Sequence, residues 1–565
     1  MRVVVGIWLL LLVGALGFVG RYGSRTPYMD QWGEIVPLLI SERTLTPQWL
    51  WAQHNEHRLP LAKLVEATLV RAAAGDFRAG MLFNVAVLAA LALALPVALA
   101  RLRGSPVVAD AIFPLLFLGW GHCETFLRGD VCGNVLTTAL ACVLLVIIAF
   151  TREAPTPSAA LAVGLALVLL PLCGATGLPF VPPVAVWLVV ATRGGRASRW
   201  VLGLALVALA LTAAYFVGLE WPAYHPGPAG PLAALQTTAE FLAMAFGTAA
   251  HEDWALGAWV IAAVLVLDAA LLLGAAIRSP AERPRALGLA AMLVALVLLA
   301  LEVGVSRSGF GPRAGLGARY ATLAAPLLAH AYVAWELYAP RPLLQGGRIV
   351  VLALLVLCVP ANMRSARLYG NDRRARSDAF ERDLRAGLPA PTVARLHAPT
   401  IYPDPFGFTL RLEGLRMAGI EGFRGLIPPA DDWTGLRAVP VALDQGLTHE
   451  MTWAAGRGQP TGADPFVVFP LGTRRYVYAV RLRYAHPDAA ATDTADLELF
   501  WRNTRKSDFT RGIRNVRRSV PAAPDGGVVT VEVLDSLDEL RIDADPRRGV
   551  LRVDEISLLV ARGSG

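Results

Sequence analysis

Apolar runs of about twenty residues recur along the first two thirds of this chain, separated by short loops that carry arginine. A run of that length matches the hydrocarbon core of a bilayer, where every backbone polar group must be satisfied within a helix or a closed barrel. Strong candidate spans are Val3–Val19, Met81–Ala100, Val135–Phe150, Trp200–Val217, Leu256–Ile277, Ala286–Val305 and Ala321–Leu337. Weaker ones are Ser105–Trp120, Ala159–Leu172, Phe180–Ala191 and Ile349–Met363. The pair around Cys173 contains proline and reads either as two short helices or as a broken re-entrant element. The sum is about 11 transmembrane helices in a mostly α polytopic bundle. The first run has no small-x-small cleavage site, so a retained anchor is expected rather than a signal peptide.

Charge is placed to match. Only 17% of residues are charged and 55% are hydrophobic, against about 25% charge in soluble proteins. A soluble enzyme over the whole length is excluded, and so is a disordered chain. The first 363 residues hold 41 charged side chains and the remaining 202 hold 55. A membrane domain therefore precedes a water-facing part. The net charge of +8 is almost all arginine and is spread along the chain without a dense basic run, which disfavours nucleic acid.

Short loops set orientation. With the N-terminus inside, Arg101/Arg103, Arg152, Arg193/Arg196/Arg199, Arg278/Arg283/Arg285 and Arg341/Arg348 all fall in short inner loops. The outer side then receives segments 20–80, 121–134, 218–255 and 306–320, and everything after Met363. This predicts a multi-pass protein of a bacterial cytoplasmic membrane with its C-terminal part in the periplasm or its equivalent. Cys123 and Cys132 flank the second outer loop, where an oxidising compartment permits a disulfide.

The outer segments carry the candidate chemistry. The first reads TPYMDQWGEIVPLLIS, then WLWAQHNEHRLP. Asp30 and Glu34 are four apart and share a helix face. Ile35, Leu38 and Leu39 form an apolar side, so a short helix is expected to lie along the membrane with the carboxylates at its edge. His54, Asn55, Glu56, His57 and Arg58 form a dense polar run ending at Pro60. A carboxylate at the surface can take a proton from an acceptor hydroxyl, and His and Arg can hold a lipid-carrier phosphate and stabilise the leaving group. A divalent metal on His54 and His57 is left open, because no HExxH helix is present. The second loop, GWGHCETFLRGDVCGN, offers Glu124 and Asp130 as a secondary acidic pair. The late loop, SRSGFGPRAGLGARYATLAAP, offers Arg313, Arg319 and Tyr320 as donor-phosphate or substrate contacts, with glycines that permit close backbone approach. Asp268, inside a span, is by default functional or paired.

An acid soon after the first span, an amphipathic segment, a later His/Arg–Pro stretch ending at Pro60, and Arg319-Tyr320 at the mouth of a span resemble the GT-C superfamily of integral-membrane glycosyltransferases. The resemblance covers residues 1–363 at the level of topology. It implies a polyprenyl-phosphate-linked sugar donor, inverting transfer without a covalent enzyme intermediate, and Asp30 as the base, with Glu34 beside it. The adjacent acid pair common in relatives is split here between Asp30 and Glu34.

After Met363, residues 364–463 read as a mixed α/β linker region. From Asp464 the pattern alternates in DPFVVFPL, RYVYAVRLRY, LELFW, GGVVTVEVL and GVLRVDEISLLV. Alternation with regular turns predicts a β-sandwich over 464–565, which resembles carbohydrate-binding modules of envelope glycosyltransferases. Trp501 and Tyr484 are then either sugar-stacking or core residues. The sequence thus points to a membrane glycosyltransferase acting on an envelope glycan, lipid or protein on the outer face. A lipid-linked oligosaccharide flippase and a non-catalytic glycan-binding scaffold are the alternatives.

Overall fold

The computed structural model describes all residues except 41–42, 194–197, 223–224, 386–389, 425, 427–435, 503–508, 510–513 and 562–565. Arg196 of the inner loops lies outside the described residues. The helices are, in order, α1 (Arg2–Tyr22), α2 (Asp30–Glu34), α3 (Val36–Leu39), α4 (Pro47–Trp51), α5 (Pro60–Ala72), α6 (Arg78–Arg103), α7 (Ile112–Leu118), α8 (Cys123–Leu127), α9 (Cys132–Phe150), α10 (Pro157–Cys173), α11 (Val181–Ala191) and α12 (Ser198–Tyr215). Then come α13 (Pro231–Ala243), α14 (Trp254–Arg278), α15 (Arg283–Arg307), α16 (Tyr320–Tyr338), α17 (Arg341–Arg385), α18 (Ala390–His397) and α19 (Pro405–Met417). The chain divides into two compact units. One comprises residues 1–27 and 41–375, and the other residues 28–40 and 376–565.

The first unit is the membrane bundle. Among the described residues seven helical segments are long and apolar enough to cross a bilayer, and α10 and the segment Ala175–Ala191 are shorter apolar helices. Every predicted span falls on a helix, but the spans are not equivalent. The segment expected at Ser105–Trp120 holds only the seven residues of α7 after a short 3₁₀ turn. The α16 helix is buried along nearly its whole length and carries Pro326 and His330, so it is a core helix rather than a lipid-facing one. The pair around Cys173 resolves into two short helices joined by a 3₁₀ turn after Gly174, whose φ of 134° suits glycine. The 218–255 segment is not simply a loop. It contains α13, whose Glu240 and Phe241 are fully buried.

Polar contacts sort the bundle's connections to two ends. At one end Arg103 pairs with Asp110 (2.5 Å) and Glu336 (3.2 Å), Arg348 pairs with Glu336, and Arg285 reaches the carbonyl of Thr151 (3.1 Å). These are the arginines that the charge pattern placed inside. At the opposite end the first, second, 218–255 and late segments meet one another, as described below. All five cysteines are free, and Cys123 and Cys132 are buried, so the permitted disulfide is not formed. Cys132 instead points its thiol at the Ala62 carbonyl.

The second unit combines a small helical core with one antiparallel sheet. Trp32 sits fully buried among Phe408, Phe380 and Phe423, at ring separations of 4.5, 6.1 and 6.0 Å. Ile35, Val36 and Leu38 are buried with it. The apolar side of the Asp30–Leu39 stretch is therefore spent inside a protein core. It is not laid on a membrane, as its amphipathic pattern suggested.

Among the described residues the sheet has nine strands: β1 (Leu436–Pro440), β2 (Leu447–His449), β3 (Met451–Ala454), β4 (Arg457–Pro460), β5 (Phe466–Ala485), β6 (Thr494–Arg502), β7 (Asn515–Pro521), β8 (Gly527–Asp543) and β9 (Leu551–Ala561). Their order is β3-β4-β9-β5-β8-β6-β7, with β1 beside β9 and β2 beside β5. The long strands β5 and β8 pass through bulges between Pro470 and Arg475 and between Val477 and Ala479. Bulges bend a strand and increase its twist. On one side of them β5 pairs with β2 and β8, and on the other with β9 and β8. Residues from both halves, such as Phe469, Leu482, Trp501, Ile542 and Leu558, share one core. The predicted two-sheet sandwich is thus one continuous bent sheet. It also starts earlier than the alternation showed, because β1–β4 are too short to display a period.

Candidate functional site

Three segments remote in sequence converge on Glu56. His54 and His57 exchange backbone hydrogen bonds of 2.8 and 2.9 Å around Asn55, whose φ of 49° is one that asparagine tolerates. This tight turn directs the Glu56 side chain inward. One carboxylate oxygen lies 3.0 Å from His57 Nε2 and the other 2.8 Å from His225 Nδ1. Arg307, at the end of α15, pairs with the first oxygen and sits 3.1 Å from His57 Nε2. Phe310 closes one side, with its ring 5.3 Å from that of His225 and 5.5 Å from the Arg307 guanidinium. Burial raises the Glu56 pKa, but the hydrogen bond from His57 and the charges of His57 and Arg307 outweigh it and hold the carboxyl well below the usual range.

Arg58, next in line, has another task. Its Nε, Nη1 and Nη2 donate to the carbonyls of Tyr215, Trp51 and Val217 at 3.1, 2.8 and 2.8 Å, and its backbone N–H donates to the Tyr215 hydroxyl. It therefore satisfies carbonyls left over at the C-terminal end of α12. Those three donors are spent on backbone carbonyls, which gives Arg58 a structural task beside the phosphate contact expected from sequence.

A second cluster joins the second and late loops. Glu124 on α8 accepts from the Arg319 backbone N–H (2.9 Å), from Arg319 Nη1 (3.3 Å) and from Arg128 Nη1 (3.0 Å). Arg128 also pairs with Asp130. The Arg319 guanidinium lies 4.8 Å over the Tyr320 ring. Burial raises the Glu124 pKa, but Arg319 and then Arg128 bring it below the ordinary value. Of the residues foreseen there, Glu124, Asp130, Arg319 and Tyr320 form one network. Arg313 does not join it. Its N–H and that of Gly315 donate to the buried Glu240 carboxylate (3.1 and 3.0 Å), and its Nη2 donates to the His251 carbonyl (2.7 Å). The late loop's glycines serve this packing, since a Cβ on Gly309 or Gly315 would strike the backbone of Gly227 or Thr237.

Beside the second cluster lies an apolar cavity of about 310 Å³ within the first unit. Leu10, Trp120, Phe246, Ala321 and Leu355 line it, with His122 and Asn362 as polar members. His122 is fully engaged with Thr322 and the Leu116 carbonyl, and burial pushes its pKa down to about 4, so it is neutral at pH 7.

Asp30 and Glu34 belong to the second unit, at the two ends of α2 with Trp32 between them. Nearby, burial raises the Tyr402 pKa and the charges of Asp30 and Glu34 add to that effect. Among the described residues no group of three or more His, Cys, Asp or Glu side chains is placed to hold a metal ion. Trp501 and Tyr484 are buried in the sheet core and are not sugar-stacking surfaces.

The chain is similar in structure, over 98% of its length, to two mycobacterial proteins. One is arabinosyltransferase EmbB from Mycobacterium smegmatis, at 12% identity and a TM-score of 0.30, with 64% of that chain covered. The other is a mutant form of arabinofuranosyltransferase AftD from mycobacteria, at 13% identity and a TM-score of 0.29, with 61% covered. This chain thus spans less than two thirds of either. No family model and no curated protein sequence matches it.

Sequence reasoning saw Glu56 only as one member of a polar run, and it missed His225 altogether. No local signal marks His225, because its partner lies in another loop. Arg307 stands at the start of the late loop quoted above, where nothing local sets it apart from the other arginines. Asp268 was visible within a span, and it proves to be hydrogen-bonded to His330 at 2.7 Å deep in the bundle.

Proposed function

We infer that this protein is a membrane glycosyltransferase. It moves a sugar from a polyprenyl-phosphate-linked donor to an envelope glycan, lipid or protein acceptor on the outer face. The observation that carries this reading is the gathering of two Arg-containing polar clusters at one end of an apolar bundle, the second of them next to an apolar cavity. A lipid-linked anion needs that combination: cationic donors for its phosphate and a dry slot for its chain. The arginines of the opposite end sit in short loops, which orients the polar clusters outward.

In a single displacement the acceptor hydroxyl attacks the anomeric carbon, the bond from that carbon to the phosphate oxygen breaks, and the acceptor's proton passes to a base. Polyprenyl phosphate leaves with the bonding pair. Asp30, with Glu34 beside it, is assigned the base on the resemblance to GT-C enzymes. Arg319 and Tyr320, and His57 with Arg307, are assigned to the donor phosphate. The Glu56 carboxylate fixes the His57 ring and the Arg307 guanidinium side by side, so that both face one place where phosphate charge can be held. His54, Arg313, Glu124 and Asp130 shape these loops.

The test is purified protein incubated with a panel of polyprenyl-phosphate sugars and envelope-derived acceptors, with products read by mass spectrometry. Transfer that disappears in Asp30→Asn while folding is retained supports the reading. Absence of product with every donor overturns it, and full activity in Asp30→Asn overturns the base. The buried Asp268–His330 pair motivates the flippase alternative. Donor translocation in proteoliposomes without any transfer, lost in Asp268→Asn, would select it.

A further inference from the structure

In the half of β5 that pairs with β8 and β9, Val480, Leu482 and Tyr484 face the sheet core. Alternation then puts Arg481 and Arg483 on the opposite face, about 7 Å apart along the strand. The register sets Thr530 and Ser557 on either side of Arg481, and Val528 and Glu555 on either side of Arg483. Arg481, Arg483, Val528, Thr530 and Glu555 line a recess of about 310 Å³.

Most arginines of this sheet are paired. Arg502 bonds to Glu539, Arg517 to Asp496, Arg541 to Asp543 and Arg552 to Asp554. Arg481 and Arg483 are not, and unlike Arg457 and Arg474, which also lack a partner among the described residues, they line one recess together. Among the described residues neither guanidinium has a hydrogen bond or an ion pair. The nearest acid in register, Glu555, is turned to the buried Ser557, whose hydroxyl donates to it at 2.5 Å. Two forked cations therefore share a recess in which, among the described residues, neither forms an ion pair, although Glu555 lines it too. The sequence is not short of acids here. Asp554 precedes Glu555 on the same strand and is spent on Arg552.

We propose that this recess binds an acidic saccharide, a glycan bearing phosphate or uronic-acid carboxylate groups. The forks of Arg481 and Arg483 match a carboxylate or phosphate in a bidentate way that lysine cannot reproduce. Thr530 and the fixed Glu555 carboxylate are suited to sugar hydroxyls, and the exposed Val528 to a sugar's C–H face. The carboxylate selects against a bare anion, which it repels and which makes no use of it. A recess with an acidic rim and one exposed aliphatic residue also lacks the broad basic and apolar surface by which proteins hold an anionic bilayer. The site lies wholly in the second unit, and its function stands apart from the transfer chemistry inferred above.

The test uses the full-length protein in neutral detergent. Trigalacturonic acid and a phosphorylated maltotriose are the acidic probes, with maltotriose, inorganic phosphate and phosphatidylglycerol vesicles as the comparison. Calorimetric titration is expected to show binding of at least one acidic trimer, weakened tenfold or more between 50 and 300 mM salt, on the order expected for charged contacts. Arg481→Ala and Arg483→Ala should each weaken it about tenfold, Arg483→Lys should recover little of the loss, and Arg474→Ala should leave it intact. Thr530→Val, which keeps both arginines, should cost a smaller factor. Unchanged thermal unfolding in these variants separates lost binding from misfolding. Failure of both trimers to bind, equal binding of maltotriose, binding indifferent to Arg481 and Arg483, or preference for phosphate or vesicles would each overturn the proposal.

Discussion

The Glu56 carboxylate lies 2.8 Å from Nδ1 of His225, which ties the first outer segment to the 218–255 segment through one buried acid. Because His57 and Arg307 share that carboxylate, removing its charge leaves three cationic or ionisable groups facing one another. Glu56→Gln is expected to destabilise the protein by about 3 kcal/mol, the scale for breaking a buried ion pair. Thermal unfolding in detergent measures this, and a melting temperature unchanged from wild type contradicts it.

The same carboxyl sets a pH dependence. Its pKa in the folded protein is depressed below the ordinary 4.5, so folding gains stability above that value and loses it as pH falls toward the depressed one. Wild-type protein should lose melting temperature progressively below about pH 5, and Glu56→Gln should lose less over the same interval. Parallel melting curves from pH 7 to pH 4 decide between these outcomes.

Arg58 and Arg319 looked alike in sequence, each an arginine near an apolar run, and the structure separates them. Arg58 donates to three carbonyls, so Arg58→Ala should cost about 2–4 kcal/mol of stability, and Arg58→Lys should restore little because one ammonium cannot reach all three. Arg319→Lys keeps a positive charge beside Glu124 and loses the fork. Its expected signature is a donor KM raised about tenfold with unfolding nearly unchanged, equivalent to about 1.4 kcal/mol of donor binding. Kinetics and melting curves measured on the same two preparations separate the roles, and a stability loss in Arg319→Lys as large as in Arg58→Ala would merge them.

The spans were legible because burial in lipid forces unbroken apolar runs, and no competing structure fits such a run. The two-ended sorting of the loops was legible for a related reason, since short arginine-bearing connections alternate with long ones. Local patterns could not reveal what depends on distant partners. The amphipathic side of α2 and α3 looked membrane-bound because the phenylalanines that bury Trp32 lie far downstream. Trp501 and Tyr484 looked available for sugar because alternation shows which residues share a face and not which face is covered. Arg481 and Arg483 were ordinary polar positions of a strand until the structure placed them together in one recess, without an ion pair among the described residues.

Trp32 carries a prediction of its own. It lies fully buried against three phenylalanines, and truncation of such an aromatic typically costs 3–5 kcal/mol. Trp32→Ala is expected to expose residues 376–426 to protease while leaving the bundle's helical signal intact. Resistance equal to wild type would show that the helical core does not depend on this residue.

Glu532 on β8 presents the opposite case to Glu56. It is 2% exposed, and neither carboxylate oxygen has a hydrogen-bond partner among the described residues. Burial pushes its pKa up to about 7, and Arg395 and Arg518 only partly oppose this. Below pH about 4.5 the group is protonated in both folded and unfolded chains and exerts no bias. As pH rises from there to about 7, the unfolded chain ionises first, so the folded state loses up to roughly 3 kcal/mol, and the loss is constant above. Wild-type protein should therefore show a component of stability that declines between pH 5 and 7. Glu532→Gln, neutral throughout, should remove that decline and melt higher than wild type at pH 8 while matching it near pH 4.5. The tryptophan fluorescence of the full-length chain offers a readout, since Trp501 lies in the sheet core. Equal melting of the two proteins at pH 8 would mean that the carboxylate is solvated or paired in a way that the buried geometry does not contain.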